Sequence, residues 1–391
     1  MIKLLLVGDA SSIFFVEYVK AIKKYMDIHV TVYSPFPDKK NYNNYPYDRV
    51  IFDDFTNSKL GTTKVIGYQL RPFIFRKRFF DFLKKDRLIY DIIHIQWLLP
   101  SWTISPKMFH RFGKKLIVSF WGGEVESQKI LFSSQLYLYN LGRLLSEADA
   151  GIGTTAIVNE YVKKRYPQLK NKCNFGILGS SIISEMVKFE ISDTDIRNAI
   201  GVPADKITIM LGYSGKIIHY HIPILDAIVS NQSFLAYRDN IHFLVPMSRG
   251  ASPQYVNDVK DALIRSGCTY TMFETYQADK EVAFLRKSTD IIFQLSHHDE
   301  VSTSIIENLA AGALMICGNW FPNYDVLRNY GFEWIEVEGI KEGVDKFYEI
   351  LPEMDKYYGM TNHNQSVGKS KFAWDECIKD WVNAYKNILK S

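Results

Sequence analysis

Cysteine is scarce. The 391-residue chain carries four (Cys173, Cys268, Cys317 and Cys377), far apart and with no C-x-x-C among them. That spacing indicates neither a zinc site nor a disulfide framework, and it fits a reducing compartment. Long apolar runs are missing as well. No window approaches the roughly 18 uncharged apolar residues of a membrane span, and the opening run Met1 to Val7 is short for a secretory signal. A cytoplasmic protein is expected. Excess charge of one sign is also lacking: a formal net charge of +4 argues against a nucleic-acid binder that works by neutralising phosphates. The first strand runs into Gly8-Asp9-Ala10-Ser11-Ser12 rather than a full G-x-G-x-x-G, so NAD binding is not implied.

What is present is apolar content in quantity. At 391 residues and 47% hydrophobic, the chain is too long for one ordinary core, so two domains of similar size are expected. Strands alternate with helices in both halves. Lys3 to Val7, His29 to Tyr33, Asp91 to Trp97 and Lys115 to Phe120 read as strands in the first. In the second, 207–212, 241–247, 270–273, 291–295, 314–317 and 334–337 do so. A polar stretch, Ser192-Asp193-Thr194-Asp195, marks the linker, with Ser192 or Asp193 capping a short helix.

One stretch organises the rest: Ser296-His297-His298-Asp299-Glu300-Val301-Ser302-Thr303-Ser304-Ile305-Ile306-Glu307, continuing to Gly312. An apolar run precedes it and another follows, which makes one strand, turn, helix and strand unit. Ligands of such units sit outside the carboxyl end of the strand, where the first free N–H groups of the helix point outward and favour phosphate. Ser302, Thr303 and Ser304 let a diphosphate approach and add hydroxyl donors. Glu307 lies a turn further in and tilts back to accept from ribose hydroxyls. Asp299, eight residues earlier, faces whatever the phosphates carry. With 43 acids in the chain, chance alone gives roughly five pairs at that spacing, so the strand, turn and helix context carries the assignment.

Other candidates keep two readings each. Gly8, Asp9 and Ser11 line a cleft, or Asp9 caps the first helix. The aromatic and basic segment 72–85 lies on an anionic membrane surface or is a packed domain helix with a basic rim, two readings that do not exclude each other. Trp121-Gly122-Gly123-Glu124 follows a strand, and its glycines admit a ligand close to the backbone. Glu124 there is an acceptor-side carboxylate or catalytic base, or a helix N-terminal acid favoured by the dipole. His219-x-His221 lacks carboxylate company, so no metal is expected.

The Asp299/Glu307 pair resembles the E-x7-E signature of retaining, nucleotide-sugar-dependent glycosyltransferases of the GT-B fold, of the family-4 type, with Asp at the first acid and Ser302 at the usual glycine. Trp121 to Glu124 resembles the H-G-x-D turn of the same fold. Gly212-Tyr213-Ser214-Gly215, Val245 to Gly250, Leu285 to Asp290 and Gly318 to Tyr324 look like bacterial transferases related to the dTDP-4-acetamido-4,6-dideoxygalactose transferase, a resemblance that covers mainly residues 205–330. It implies an α/β architecture of two Rossmann-like domains facing across a cleft. Residues 1–187 would bind the acceptor and 188–370 the donor, with a helix at 371–391 packing back on the first domain. It further implies that Gly212, Ser214, Gly215 and Lys216 hold donor phosphates, with Arg249 either joining them or forming a surface salt bridge. Asp299, Glu124 and Asp9 would be the catalytic carboxylates, and Gly8, Ser11, Trp121 and Gly122 the acceptor side.

The implied activity is transfer of a sugar from a nucleotide-diphosphate donor to a glycan or polyprenyl-diphosphate-linked acceptor in surface-polysaccharide assembly, at the inner face of the cell membrane. The helix amides and Lys216 take up the charge on the leaving diphosphate, so neither metal nor cofactor is expected. The narrower family inverts the anomeric centre and the E-x7-E families retain it, which leaves the stereochemical course open. A nucleotide-sugar 2-epimerase of the same fold is the alternative, and a non-catalytic sugar-nucleotide-binding protein a third.

Overall fold

The computed structural model describes residues 1–36, 45–53, 66–96, 98, 100–103, 106–121, 125, 134–299 and 301–390. The chain divides into two compact units, Met1–Gly179 with Cys377–Ser391, and Ser180–Glu376. The division falls earlier than the linker read from the sequence at 188. The physical reason is the helix Ser181–Met186, which packs on helices of the second unit, Asp279–Lys287 and Thr303–Ala311.

In the first unit, seven strands form one parallel sheet in the order β3-β2-β1-β4-β5-β6-β7. They are β1 (Ile2–Val7), β2 (Ile28–Ser34), β3 (Arg49–Phe52), β4 (Tyr90–Ile95), β5 (Gly113–Phe120), β6 (Ala150–Gly153) and β7 (Cys173–Phe175). Leu4 pairs with Val30 on one side and Ile92 on the other. Helices cover both faces of such a sheet, so its central strands read as unbroken apolar runs such as Leu4-Leu5-Leu6-Val7, all fully buried. Strand β3 was not legible in the sequence, because Arg-Val-Ile-Phe is short and sits half-buried at the sheet edge. The segment 72–85 falls in the helix Ile66–Asp86. Phe75, Phe79, Phe80 and Leu83 are buried there, and Phe79 meets Tyr33, Trp102 and Phe109 edge-on or tilted. Those rings are spent on the core, as a packed helix requires, while Phe73 is exposed, as are Lys77 and Arg78. Among the described residues no helix is long and apolar enough to cross a membrane.

The chain returns to this unit through the end of the helix Trp374–Lys390. Trp381 donates from Nε1 to the Ile177 carbonyl at 2.8 Å, and its indole fills the space over Gly176, where a Cβ would lie 2.6 Å from the ring. Tyr385 anchors the next turn. Its hydroxyl accepts from Tyr18 at 2.9 Å and lies 2.5 Å from Nδ1 of His94, whose Nε2 is 2.7 Å from the Ser119 hydroxyl. A neutral imidazole satisfies both neighbours, and burial pushes its pKa down to about 3.

The second unit holds six parallel strands in the order β10-β9-β8-β11-β12-β13: β8 (Ile207–Leu211), β9 (Ile241–Pro246), β10 (Thr269–Phe273), β11 (Ile291–Gln294), β12 (Leu314–Gly318) and β13 (Ile335–Val337). All six lie where the apolar runs placed them, to within a residue or two. The short helix Asp193–Ala199 starts at Ser192, whose hydroxyl accepts from the Asp195 amide at 3.1 Å.

His94 yields a pH prediction with a definite sign. Its folded pKa of about 3 lies below the ordinary 6.5, so its contribution is complete above 6.5 and is lost as pH falls toward 3. At pH 5.5 that loss amounts to about 1.4 kcal/mol for this one side chain. Denaturant titrations at pH 7 and 5.5 should show stability falling with pH, and His94→Gln should reduce the fall by about that amount.

Candidate functional site

Each sheet reverses direction once. In the second unit the chain leaves β8 toward β9 and β10, then returns to build β11, β12 and β13 on the other side, so the loops after β8 and β11 diverge. Ligands of open parallel sheets bind in that crevice. Gly212, Ser214, Gly215 and Lys216 lie in the β8 loop; Asp299, Val301 and Ser302 lie in the β11 loop.

The β8 loop is tightly made. Gly212 has φ of +67°, and a Cβ there would come within 2.6 Å of His219. The His219 ring packs against Tyr213 at 4.3 Å and lies 2.9 Å from the Ser214 hydroxyl through Nε2. The Gly215 amide donates to the Arg249 carbonyl at 2.9 Å, tying this loop to the one after β9. Gly250, at φ +83°, lies under Lys216, whose Cγ would be 2.5 Å from an added Cβ. Lys216 and Arg249 are exposed, and neither forms an ion pair among the described residues; Arg249 lies over the Tyr276 ring at 5.4 Å. The alternative of a surface salt bridge at Arg249 is thus not seen among the described residues. His219 and His221 are buried and their pKa values are pushed down, to about 3 and about 4, by desolvation first. Among the described residues no cluster of three His, Cys, Asp or Glu is arranged to hold a metal ion.

Opposite stands the helix Thr303–Ala311. Ser302 is its N-cap, the hydroxyl accepting from the Ile305 amide at 3.4 Å. The amides of Thr303 and Ser304, with no carbonyl one turn earlier in the helix, remain as outward donors. Val301, just before the cap, has φ of +43°. A β-branched residue in the left-handed region is a rare, strained conformation, and such strain gathers at ligand clamps.

Asp299 is held from three elements. Its Oδ1 accepts from the Tyr213 hydroxyl at 3.0 Å, its Oδ2 from Gln294 Nε2 at 2.9 Å and from the Tyr324 hydroxyl at 2.5 Å. Burial, then the Asp299 charge, pushes both tyrosines up, Tyr213 to about 12. Gln294 is fully buried and its Oε1 has no partner.

Glu307 is less open than the sequence suggests. It is 6% exposed; Oε1 accepts from the Ser180 hydroxyl at 2.9 Å and Oε2 from Arg286 Nε at 3.4 Å. Burial pushes its carboxyl up and the Arg286 guanidinium down, and each partner's charge opposes the other's shift. Arg286, Ser180, Gln294, Tyr213 and Tyr324 were not singled out beforehand as site residues. Tyr213, Arg286 and Tyr324 fall in stretches that carry the family resemblance, and Gln294 is a polar side chain within the apolar run Ile291 to Leu295.

In the first unit the reversal lies between β1 and β4. Gly8 is there because the Phe15 ring occupies its Cβ position, at 2.1 Å. Asp9 accepts from the Ser11 amide at 3.0 Å, and the helix Ile13–Tyr25 begins at Ser12, so Asp9 shapes the turn without being the cap residue. Ser11 is buried. Trp121 donates from Nε1 to the Gln96 carbonyl and meets Phe14 edge-on at 5.7 Å. Gln96 is buried at the end of β4, and its Nε2 has no partner. Gly122 and Glu124 lie outside the described residues.

No protein-family model matches the sequence, and no curated protein is significantly similar to it. Solved structures are. A glycosyltransferase from Rickettsia africae superposes with a TM-score of 0.69 at 16% identity, over 100% of this chain and 99% of that one. Anabaena Alr3699/HepE in complex with UDP gives 0.66 at 15%, covering 99% and 100%. The fold is that of the GT-B glycosyltransferases. The UDP-GlcNAc 2-epimerase of Neisseria meningitidis, bound to UDP-GlcNAc, also gives 0.66, at 11% identity over 99% and 100%. The GT-B fold accounts for the two Rossmann-like sheets and places Asp299, Lys216 and the 303–311 helix at the reversal point of the second.

The Arg286–Glu307 pair generates a stability prediction. Removing one partner leaves a buried charge uncompensated, so Arg286→Met or Glu307→Leu alone should cost about 3–5 kcal/mol in urea unfolding. The double replacement should cost less than either, since no charge is then stranded.

Proposed function

We propose that this chain is a metal-independent glycosyltransferase that takes a nucleoside-diphosphate sugar at the β8/β11 reversal of its second unit. One observation carries the reading. The amides of Thr303 and Ser304, with the hydroxyls around them, lie at the same crevice as Lys216 and Arg249, two cations with no ion pair among the described residues, and a diphosphate needs that combination. As the sugar leaves, negative charge builds on the diphosphate, and these donors stabilise it. Lys216 and Arg249 do there what a divalent cation does in other phosphate sites. Glu307 serves as ribose acceptor; Arg286 and Ser180 hold it, and each carboxylate oxygen keeps a further lone pair. Asp299, oriented by Tyr213, Gln294 and Tyr324, faces the sugar and positions its hydroxyls. On the acceptor side, Asp9 and Ser11 with the unpartnered amide of Gln96 supply polar groups, together with Glu124.

The UDP complex of HepE and the UDP-GlcNAc complex of the epimerase support a nucleotide-sugar ligand for a chain of this fold. The resemblance over residues 205–330 favours a glycan or polyprenyl-diphosphate-linked acceptor and a role in surface-polysaccharide assembly. Epimerisation is the competing chemistry. Incubation with the donor separates the two: transfer or slow hydrolysis releases nucleoside diphosphate, whereas an epimerase returns a changed sugar still joined to its nucleotide.

A thermal-shift panel of UDP, GDP, dTDP and CMP tests the site directly. One nucleoside diphosphate at ~100 times its Kd should add about 2.7 kcal/mol of stability. Lys216→Ala should cut that response, and Asp299→Asn should keep it while lowering transfer about a hundredfold or more. No response to any nucleotide would overturn the proposal.

A further inference from the structure

A second recess lies in the first unit, formed by the end of the helix Ser134–Glu147, the last turn of the helix Ala156–Arg165 and the turn that follows. Its volume is about 660 Å³, and its walls include Tyr139, Gly142, Arg143, Arg165, Tyr166 and Gln168. Helices that connect parallel strands run back across the sheet, so their carboxyl ends lie at the strands' amino-terminal edge. This groove is therefore at the opposite edge of the sheet from the β1 and β4 loops, and the chemistry proposed above does not use it.

Four features point to a ligand. Gly142 sits inside a helix, where glycine costs stability relative to alanine. Its backbone needs no glycine, for it is not among the residues with positive φ, and an added Cβ would meet the Tyr166 ring only at an ordinary 3.5 Å. The missing side chain keeps the floor of the groove open. Tyr166 forms part of that floor; it is buried, and its hydroxyl has no hydrogen-bond partner. Arg143 and Arg165 flank the opening, both exposed and neither ion-paired among the described residues. Tyr139, 64% exposed, offers a ring face with the Arg143 guanidinium 6.0 Å from its centre.

Two guanidiniums recognise a carboxylate or phosphate by paired hydrogen bonds. An exposed tyrosine ring beside a recessed hydroxyl suits a molecule with one apolar face and several hydroxyls. We propose that this groove binds a sugar ring bearing an anionic group, carboxylate or phosphate, at a site separate from the one that holds the donor. Arg165 in a last helical turn also complements the helix dipole, but that role requires neither the glycine nor the open floor.

Calorimetric titration of the full chain with glucose 6-phosphate and with glucuronate, against glucose and inorganic phosphate, tests this. At least one anionic sugar should bind about tenfold or more tightly than either fragment. Gly142→Ala separates binding from folding, since it should raise the melting temperature while weakening the anionic sugar about tenfold. Arg143→Ala and Arg165→Ala should weaken it similarly, with melting temperature and the response to nucleoside diphosphate unchanged. The proposal falls if phosphate alone binds as well as the sugar phosphate, if neither anionic sugar binds, or if Gly142→Ala binds as tightly as the parent. Loss of the nucleotide response with the groove still working would sink the donor-site reading alone.

Discussion

A parallel sheet built outward in both directions from its first strand has one place where neighbouring loops turn apart, and the backbone there cannot satisfy itself. In the second unit that place is the gap between β8 and β11. Everything assigned to the donor follows from it. The helix starting at Thr303 brings unspent amides to the gap because it must begin there to cross back over the sheet. The loop after β8 turns away from it, under the constraint of the left-handed Gly212. Lys216 is exposed over Gly250 and Arg249 over the Tyr276 ring, neither with a carboxylate partner among the described residues. These amides, hydroxyls and cations converge on one crevice, and that convergence is the physical basis of the functional reading.

Around this gap the polar groups fall into two kinds. Asp299 receives three hydrogen bonds from Tyr213, Gln294 and Tyr324, which come from three different elements, so its carboxylate is fixed before any ligand arrives. Glu307 is fixed differently, by an ion pair with Arg286 inside the protein and by Ser180. Preorganised carboxylates of this kind spend no free energy on reorientation when a sugar nucleotide binds. The strained Val301 belongs with them, since its backbone is held against its own preference between the two acids.

Much of the architecture was readable from residue order. The six strands of the second unit were legible because parallel strands buried on both faces are unbroken apolar runs, and the Ser192 cap because serine before a helical pattern favours that role. Strand β3 escaped, having neither length nor burial. The segment 72–85 carries a membrane-binding and a packed-helix reading that do not exclude each other; the burial of Phe79, Phe80 and Leu83 establishes the packing, which composition alone did not. The site was half legible. Asp299, Ser302 and Lys216 stand out by position relative to strand ends, whereas Tyr213 and Tyr324 join Asp299 from 86 and 25 residues away, and no local pattern signals that meeting.

The sequence by itself determined the alternation of strand and helix, the two-part organisation and the positions of the two acids on one turn and one helix, because these depend on periodicity and on residues within a few positions of each other. Tertiary structure alone decided which way the side chains face. It turned Glu307 inward to Arg286 and Ser180, left Arg249 without a salt bridge among the described residues, joined Tyr385 to Tyr18 and His94, and opened the groove over Gly142. Each of these depends on groups far apart in the chain meeting at a burial-dependent distance, which residue order does not encode locally.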